Sequence, residues 1–196
     1  MRKTILISKG SFSQSNDFKR IENEIDTAIF SIQNPEGSGK FYLFDEKKRN
    51  GVVPIKISFI EKLNALGWKD EKTEDNKEFQ KRRIDTALKL PNGKFFGVEW
   101  ETGNISSSHR ALNRLTKGIM DGVLSGGFLV LPSRKMYNYL TDRVGNYQEL
   151  EQYFDIWRAI SNVIDDAVLG VIEIEHDGVS KDINPFQKGT DGRAKV

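Results

Sequence analysis

Three acidic residues in the middle of the chain have the spacing of a hydrolytic site. Glu99 and Glu101 flank Trp100, and Asp85 lies fourteen positions before Glu99. On a strand, side chains two positions apart share a face and lie about 7 Å from each other. Hard divalent cations prefer carboxylate oxygens, and such cations activate water and stabilise the leaving oxygen in phosphodiester hydrolysis. The spacing is therefore typical of a metal-dependent nuclease, although an acidic, solvated hairpin face would give the same pattern.

A β-hairpin would place these acids together. Residues 83–90 alternate between apolar and polar types, which predicts a strand. Residues 91–93, with the sequence PNG, predict a tight turn, and residues 95–101 predict the returning strand. On this hairpin, Asp85 would lie beside Glu99 on the neighbouring strand.

Apolar periodicity outside the hairpin predicts alternating helices and strands. Helices are expected at residues 16–32, 54–66, 107–124 and 147–164, and buried strands at 128–131 and 167–174. We expect Gly126 and Gly127 to end the third of these helices, and the tail from Gly178 onwards to be irregular. This order of elements predicts an α/β fold with a mixed central β-sheet flanked by helices.

Length and composition limit the possible classes of protein. A chain of 196 residues fits a single domain spanning residues 1–196. The chain has no cysteine, so neither disulfides nor thiolate metal sites are expected, and a reducing cytoplasm is the natural compartment. It has no apolar run long enough for a transmembrane helix, so we expect no membrane partner.

Charge is unevenly distributed along the chain. The net charge is only +2, but residues 102–143 contain six Lys or Arg residues against two acids. A basic stretch directly after clustered carboxylates suits a polyanionic substrate that is held by cations and cut with a metal ion. A solvated, charged surface would have the same composition.

The segment that contains the paired glutamates resembles a known family of nucleases. Residues 98–110, with the sequence VEWETGNISSSHR, are similar to the core motif of the BamHI type II restriction endonucleases. Further blocks resemble the family in the same order: NGVVPIK at 50–56, YLTDRV at 139–144 and KGTDG at 188–192. The resemblance covers the chain from about residue 50 onwards.

This resemblance implies a fold, a reaction and partners. The family has the restriction-endonuclease-like fold of the PD-(D/E)xK superfamily. The resemblance implies Mg²⁺-dependent hydrolysis of double-stranded DNA at a short palindrome, GGATCC, with Mn²⁺ able to replace Mg²⁺. It also implies a homodimer, because a palindrome matches a two-fold axis, and a cognate DNA methyltransferase in a prokaryotic cytoplasm.

Roles in catalysis are implied position by position. Asp85 and Glu99 resemble the metal-binding acids of the family, and the carbonyl of Trp100 resembles a further metal ligand. Glu101 stands where related nucleases have a lysine, and it resembles the general base. Glu71 resembles a fourth catalytic and metal-binding acid. Because the connector around it differs in length from that of the family, neighbouring acids remain alternatives: Asp70, Glu74 and Asp75.

Roles in DNA binding are implied in the same way. The family's DNA-contacting positions correspond here to Asn104, Ser106, Arg110, Asp142, Arg143 and Asp191. The first three of these lie at or near the start of a predicted helix, whose N-terminus would attract phosphate and direct side chains towards the bases. Arg143 can donate two hydrogen bonds to guanine, and Asp142 can accept one from cytosine N4.

Two other functions remain open. A repair or recombination nuclease of different specificity would have the same acids, and a DNA-binding module without catalysis would have the same basic stretch. We expect His109 to be structural, because a general base must satisfy demanding geometry, and we assign no role to His176. Lys56 is expected either to contact phosphate or to support the acids, with an ordinary surface lysine as the alternative.

Overall fold

A computed structural model describes residues 1–70, 83–141 and 143–188 of the chain. Within these ranges the strands are β1 (Arg2–Lys9), β2 (Tyr42–Phe44), β3 (Lys69–Asp70), β4 (Thr86–Lys89), β5 (Phe95–Trp100), β6 (Leu124–Pro132), β7 (Ala167–Ile174) and β8 (Gly178–Ser180). The α-helices in the same ranges are α1 (Asn16–Phe30), α2 (Val52–Ala65), α3 (Ile105–Met120), α4 (Arg134–Tyr137), α5 (Tyr147–Glu151) and α6 (Phe154–Ile160). Short 3-10 helices lie at Phe12–Gln14 and Ser161–Val163.

A mixed sheet forms the centre of the fold. Within the described residues it has six strands in the order β1-β7-β6-β5-β4-β3. The strands β5, β6 and β7 are parallel to one another, whereas β1 pairs antiparallel with β7, and β4 with both β5 and β3. Helices cover both faces, which confirms the predicted α/β fold with a mixed central sheet. Because β5, β6 and β7 are parallel, their carboxyl ends meet at one edge, and Glu101 follows β5 at that edge.

Side chains along β5 alternate between two apolar layers. Phe96, Val98 and Trp100 pack in the layer of α1 and α2 on one face. Phe95 packs in the layer of α3, α5 and α6 on the other face. Both layers are needed because parallel strands are normally buried on both sides. Glu99 shares the face of Phe95 and therefore points towards the α3 layer, from a strand whose residues are all buried.

The helices α1 and α3 begin at capped positions and bury one stripe of side chains. Ser15 caps α1 by accepting a hydrogen bond from the amide of Phe18, and Asn104 caps α3 by accepting one from the amide of Ser107. Their buried residues recur mostly at three- and four-residue steps, as in an amphipathic helix. Among the described residues, no helix is both long and apolar enough to cross a membrane.

The predicted hairpin is present and sets the position of the first acid. The strands β4 and β5 pair antiparallel, with Thr86 opposite Val98. The turn between them contains Gly93 with φ of 82°, a conformation that favours glycine. Because β4 begins at Thr86, Asp85 lies just before it, at the end of the hairpin that adjoins Glu99.

The prediction that Gly126 and Gly127 end a helix is wrong. The helix α3 already ends at Met120, and both glycines lie inside β6. A β-carbon at Gly126 would lie 2.4 Å from the carbonyl oxygen of Val168 in β7, and one at Gly127 would lie 2.7 Å from the side chain of Leu115 in α3. Glycine is required here because β7 and α3 approach β6 closely.

The single helix predicted at residues 147–164 is also wrong, because α5 and α6 are separate. The buried residues Tyr147, Leu150, Phe154 and Trp157 keep a helical spacing across the break. The apolar periodicity alone therefore could not reveal the break between α5 and α6.

The tail from Gly178 contains regular structure, contrary to the prediction. The strand β8 pairs parallel with β2, and Tyr42 lies opposite Gly178. Further along the tail, the carbonyl of Phe186 accepts a hydrogen bond from the amide of Gly51 at 2.9 Å. These partners are far apart in the sequence, so no local pattern marks them.

Candidate active site

An open pocket of about 210 Å³ lies at the carboxyl end of β5. Asp85, Glu99 and Glu101 all line it, so the structure brings together the acids that the sequence indicated. Cationic side chains also line this pocket: Lys56, Arg110 and Arg114. The pocket therefore combines acidic and basic side chains at the carboxyl end of the parallel strands.

Asp85 is held by two hydrogen bonds. Its Oδ2 accepts one from the backbone amide of Trp100 at 2.8 Å, and its Oδ1 accepts one from Lys56 Nζ at 2.5 Å. The first bond joins Asp85 to β5 next to Glu99, as the hairpin predicted. The second comes from α2, so Lys56 supports the acids, which is one of the two roles that the sequence left open for it.

Glu99 is a buried carboxyl group held by an arginine. Only 3% of the residue is exposed, and Arg114 on α3 donates from Nε to Glu99 Oε1 at 2.8 Å. Burial raises the pKa of Glu99 to about 7 against the opposing hydrogen bond from Arg114, and the charge of Asp85 adds to the rise. A carboxyl group with this pKa is partly protonated at neutral pH.

Arg114 is a pocket residue that sequence reasoning missed. It follows Arg110 by four positions, and both arginines line the pocket. That spacing places two side chains on one helix face, which was a usable signal, but the face that meets the sheet depends on how α3 packs. Although partial burial opposes its charged form, the hydrogen bond to Glu99 raises the pKa of Arg114, so the guanidinium stays charged beside the acids.

Glu101 is a buried acid with one unpaired oxygen. It is 5% exposed, and its Oε1 accepts a hydrogen bond from the amide of Gly103 at 2.6 Å. Burial raises the pKa of Glu101, against the opposing effects of the nearby Ser108 hydroxyl and the Gly103 amide. Among the described residues, neither Glu101 Oε2 nor the Ser108 hydroxyl has a partner with hydrogen-bond geometry. An acid in a pocket whose pKa is raised can accept a proton from water.

The donor atoms of the pocket suit a hard divalent cation. Asp85 and Glu99 offer carboxylate oxygens, and Trp100, which lines the same wall, has a backbone carbonyl. Among the described residues, no three His, Cys, Asp or Glu side chains converge closely enough to form a metal site by themselves. Lys56 and Arg114 instead each hold an oxygen of one acid. The oxygen donors thus fit Mg²⁺ in kind, and a bound cation would compete with these two side chains.

The predicted DNA-binding residues are exposed wherever the structure describes them. Asn104, Ser106 and Arg110 lie at the start of α3, and all three are exposed. Arg110 donates a hydrogen bond to Ser107 Oγ at 2.8 Å. Arg143 is exposed as well. Several predicted site residues or alternatives lie outside the described residues: Glu71, Glu74, Asp75, Asp142 and Asp191.

Neither histidine belongs to the pocket that contains Asp85, Glu99 and Glu101. The ring of His109 packs against Tyr153 and Trp157, with centroid separations of 4.8 and 5.5 Å. His176 is 3% exposed and contacts Glu175. Neither histidine lines the pocket, which agrees with the structural role expected for His109.

Known proteins resemble this chain over almost its whole length. The family described as restriction endonuclease BamHI matches residues 1–193. The chain is 47% identical over 190 residues to the type II restriction enzyme OkrAI of Oceanobacter kriegii, and the match covers 97% of this chain and 95% of the relative. It is 31% identical to the type II restriction enzyme BamHI of Bacillus amyloliquefaciens, over 96% of this chain and 89% of the relative.

Solved structures of a more distant enzyme share the fold. The restriction endonuclease BglII complexed with a DNA 16-mer superposes with a TM-score of 0.64 at 13% identity, over 90% of this chain and 79% of that chain. Free BglII gives a TM-score of 0.52 at 10% identity, over 90% and 81% of the two chains. This likeness confirms the restriction-endonuclease-like fold.

Proposed function

The chain belongs to the BamHI family of type II restriction endonucleases, and from this we propose that it hydrolyses both strands of duplex DNA at GGATCC with Mg²⁺. One observation carries the proposal: Asp85, Glu99 and Glu101 share a pocket with Arg110. The acids that would cut DNA are therefore next to a side chain that would bind it. This proximity is what a nuclease that couples recognition to cleavage needs.

The acids divide between metal binding and proton transfer in this proposal. Asp85, Glu99 and the carbonyl of Trp100 are the ligands for Mg²⁺, with Glu71 as a further acid. Mg²⁺, when bound, supplies positive charge that lowers the pKa of water and stabilises the leaving oxygen. Glu101 lies in the same pocket and accepts the proton of the attacking water, because burial raises the pKa of its carboxyl group.

Basic and polar side chains around the pocket bind the DNA in this proposal. The guanidinium groups of Arg110 and Arg143 match the paired acceptors of guanine in the major groove. Asn104 and Ser106 lie at the N-terminus of α3, where the helix dipole attracts phosphate. The remaining proposed base contacts are those of Asp142 and Asp191.

The proposed recognition site implies an assembly and a partner. A palindrome is read symmetrically by two copies of the chain, so the active enzyme is proposed to be a homodimer. A prokaryotic cell that carries this nuclease in its cytoplasm must protect its own DNA. A cognate methyltransferase that modifies the same site is therefore part of the proposal.

Digestion of an unmodified plasmid with sequencing of the cut ends tests the specificity. Discrete fragments whose ends all map to GGATCC support the proposal. Nicking at mismatches or branches would favour a repair nuclease, and tight binding to the site without any cutting in Mg²⁺ would favour a DNA-binding module. Either result would refute the proposed reaction.

Removal of the metal ion tests the cofactor. Cleavage should stop in EDTA and return when Mg²⁺ is added in excess, and Mn²⁺ should replace it because both cations accept oxygen ligands. Binding of the DNA should persist in EDTA, since arginine and amide contacts hold the substrate. Undiminished cleavage in EDTA would exclude the proposed role of the acids.

A further inference from the structure

A contact between two glycines links Glu101 to the segment that follows Arg143. The amide of Gly145 donates a hydrogen bond to the carbonyl of Gly103 at 2.8 Å. The amide of Gly103 in turn donates to Glu101 Oε1 at 2.6 Å. The backbone of Gly103 is therefore hydrogen-bonded both to the acid and to Gly145, two positions after Arg143.

The space around this contact is filled. A β-carbon at Gly145 would lie 2.3 Å from Ser108 Oγ and 3.2 Å from the α-carbon of Ile105, and one at Gly103 would lie 2.6 Å from Ser107 Oγ. Glycine at 145 is thus required by packing against α3. Any side chain there would displace Ser108 or move the segment away from Gly103.

Ser108 lies between Gly145 and the acid. The residue is fully buried, and its hydroxyl is close enough to Glu101 to lower the pKa of that acid. Its hydroxyl and Glu101 Oε2 are both buried without a hydrogen-bond partner among the described residues. A buried hydroxyl next to the carboxyl group of Glu101 limits the positions that this group can take, because buried polar groups favour arrangements in which they face a polar neighbour.

The buried side chain of Val144 restricts the movement of the segment from Arg143 to Gly145. Val144 is 0% exposed and belongs to the apolar layer of α1 and α2, whereas its neighbour Arg143 is exposed. A residue anchored in the core between Arg143 and Gly145 fixes the backbone of this segment against Gly103. Arg143 and Glu101 are therefore held in a fixed relative position over a short and packed path.

We propose that Gly145 and Ser108 are positioning residues that tie the Arg143 segment to Glu101, so that correct placement of Arg143 on DNA is needed to orient the acid. This inference rests on the proposed function, in which Arg143 contacts a base and Glu101 accepts a proton. Through the contacts from Gly145 to Gly103 and from Gly103 to Glu101, the DNA sequence then controls the cleavage step as well as binding.

The test compares substitutions at this link with matched substitutions elsewhere. Gly145→Ala inserts a methyl group against Ser108, and Gly178→Ala inserts one against the ring of Tyr42, 2.6 Å from the new β-carbon. Ser108→Ala removes a buried hydroxyl beside Glu101. Thr116→Val removes a buried hydroxyl of the same helix that donates to the carbonyl of Leu112. Gly178 and Thr116 do not line the pocket.

Single-turnover cleavage and DNA binding are measured separately, at the site that the plasmid digest identifies. We expect Gly145→Ala to slow cleavage about 100-fold, because a displacement of about 1 Å at a reacting group costs that much. We expect Ser108→Ala to slow it about fivefold, the effect of one lost polar contact. Affinity for DNA should stay within about threefold in Ser108→Ala, which leaves the Arg143 segment in place, and in Gly145→Ala it should fall by a smaller factor than the cleavage rate. The control variants should cleave at the wild-type rate.

The double variant Gly145→Ala/Ser108→Ala tests whether the two residues act through one contact. Removing the hydroxyl relieves the contact of 2.3 Å and leaves the milder contact of 3.2 Å with the α-carbon of Ile105. The double variant should therefore cleave much faster than the product of the two single effects predicts, a strongly non-additive result. The preference for the cognate site over a site with one altered base should also fall in Gly145→Ala, at the cleavage step. A variant that merely unfolds would lose binding and cleavage together at both sites.

Distinct results refute the inference and the proposed function. If the wild-type protein cuts DNA specifically while Gly145→Ala and Ser108→Ala cut as fast as it does, the link has no role. Losses that are additive in the double variant, or that appear equally in the controls, would also overturn the link. If Gly145→Ala does not fold, Ser108→Ala, which adds no atoms, decides the question. Absence of cleavage by the wild-type protein would instead refute the proposed function.

Discussion

Lys56 and Arg114 compensate the charge of the acids when no metal ion is bound. Each holds one acid, at 2.5 Å for Lys56 and Asp85 and at 2.8 Å for Arg114 and Glu99. The charge of Asp85 disfavours the ionised form of Glu99, and burial adds a desolvation cost. The two cations offset these costs in the metal-free protein, and Mg²⁺ would take over the same task in the loaded enzyme.

Substituting Arg114 should therefore destabilise the metal-free protein more than the loaded one. Arg114→Gln leaves the buried carboxylate of Glu99 without its cation, and we expect a loss of about 2 kcal/mol in the free energy of unfolding, moderated by the partial exposure of the guanidinium. Lys117→Gln is the matched control, because the Lys117–Asp121 ion pair lies on the same helix but outside the pocket.

Urea denaturation in EDTA and in saturating Mg²⁺ measures both effects. Mg²⁺ should recover most of the loss in Arg114→Gln, because ligand binding stabilises the folded state. Equal losses for Arg114→Gln and Lys117→Gln in EDTA would show that Arg114 does not compensate Glu99.

Glu101 should be needed for cleavage but not for binding. Glu101→Gln and Glu101→Ala remove the proton acceptor, and we expect the single-turnover rate to fall by about 10²- to 10⁴-fold. Affinity for DNA should be unchanged or higher, because a negative charge near the phosphates is removed. Glu61→Gln, an exposed position on α2, is the control, and full cleavage by either Glu101 variant would exclude the base assignment.

At the scale of elements, the hairpin places the acids, whereas α3 supplies Arg110 and Arg114 to the same pocket. The two-residue spacing of Glu99 and Glu101 and the turn at Gly93 were enough to predict that these acids and Asp85 lie close together, and all three line one pocket. Glu101 itself lies just after β5 and not on it. The contact from Arg114 to Glu99 was not predicted, because the apolar stripe of α3 indicates which face packs on the sheet but not which charged side chain beside it reaches the pocket. The packing face is set by Leu112 and Leu115 in the apolar layer, not by the motif.

Asn104 should have two separable roles at the start of α3. It caps the helix through Oδ1 and is proposed to contact DNA. Asn104→Ala removes both, and we expect a stability loss of about 1 kcal/mol together with weaker binding. Asn104→Asp keeps the cap but brings a negative charge to the DNA, so stability should be retained while binding falls.

Thermal unfolding and DNA affinity together check these two roles. Ser15→Ala is the matched control, because it removes the cap of α1, which should lower stability by a similar amount without changing affinity. If Asn104→Asp binds DNA as tightly as the wild-type protein, Asn104 is a helix cap and nothing more.

At the scale of the whole molecule, Glu99 makes stability depend on pH. Its folded-state pKa of about 7 lies above the ordinary value of 4.5. Between these values the unfolded chain releases the proton while the folded protein keeps it, so stability falls as pH rises and levels off above the folded pKa. We expect this group to account for a decrease of about 3 kcal/mol from low to neutral pH in EDTA.

Denaturation by urea over a pH series measures this slope. Glu99→Gln should flatten the slope, whereas Glu61→Gln should leave it unchanged. Saturating Mg²⁺ should oppose the fall, because the cation favours the ionised carboxyl group. A slope that is the same in Glu99→Gln would mean that another group is responsible.

The arrangement of the sheet was the least predictable part of the fold. The α/β class and the hairpin followed from local periodicity, but the order of strands depends on partners that are distant in the chain. β1 lies beside β7, with Arg2 opposite Glu173, and neither segment carries a local sign of the other. The same holds for β2 and β8. Such pairings are selected by the burial of whole faces, which no short pattern records.

The position of β7 between β1 and β6 has a consequence for the order of synthesis. A ribosome releases residues in sequence, so β1 cannot pair with β7 until residues 167–174 have emerged. Closing so long a loop is entropically costly and slow. The edge at which the acids meet is formed by the ends of β5, β6 and β7, so a nascent chain contains the acids long before it has the framework that orients them. We therefore expect nuclease competence to be acquired late, after most of the chain has been translated.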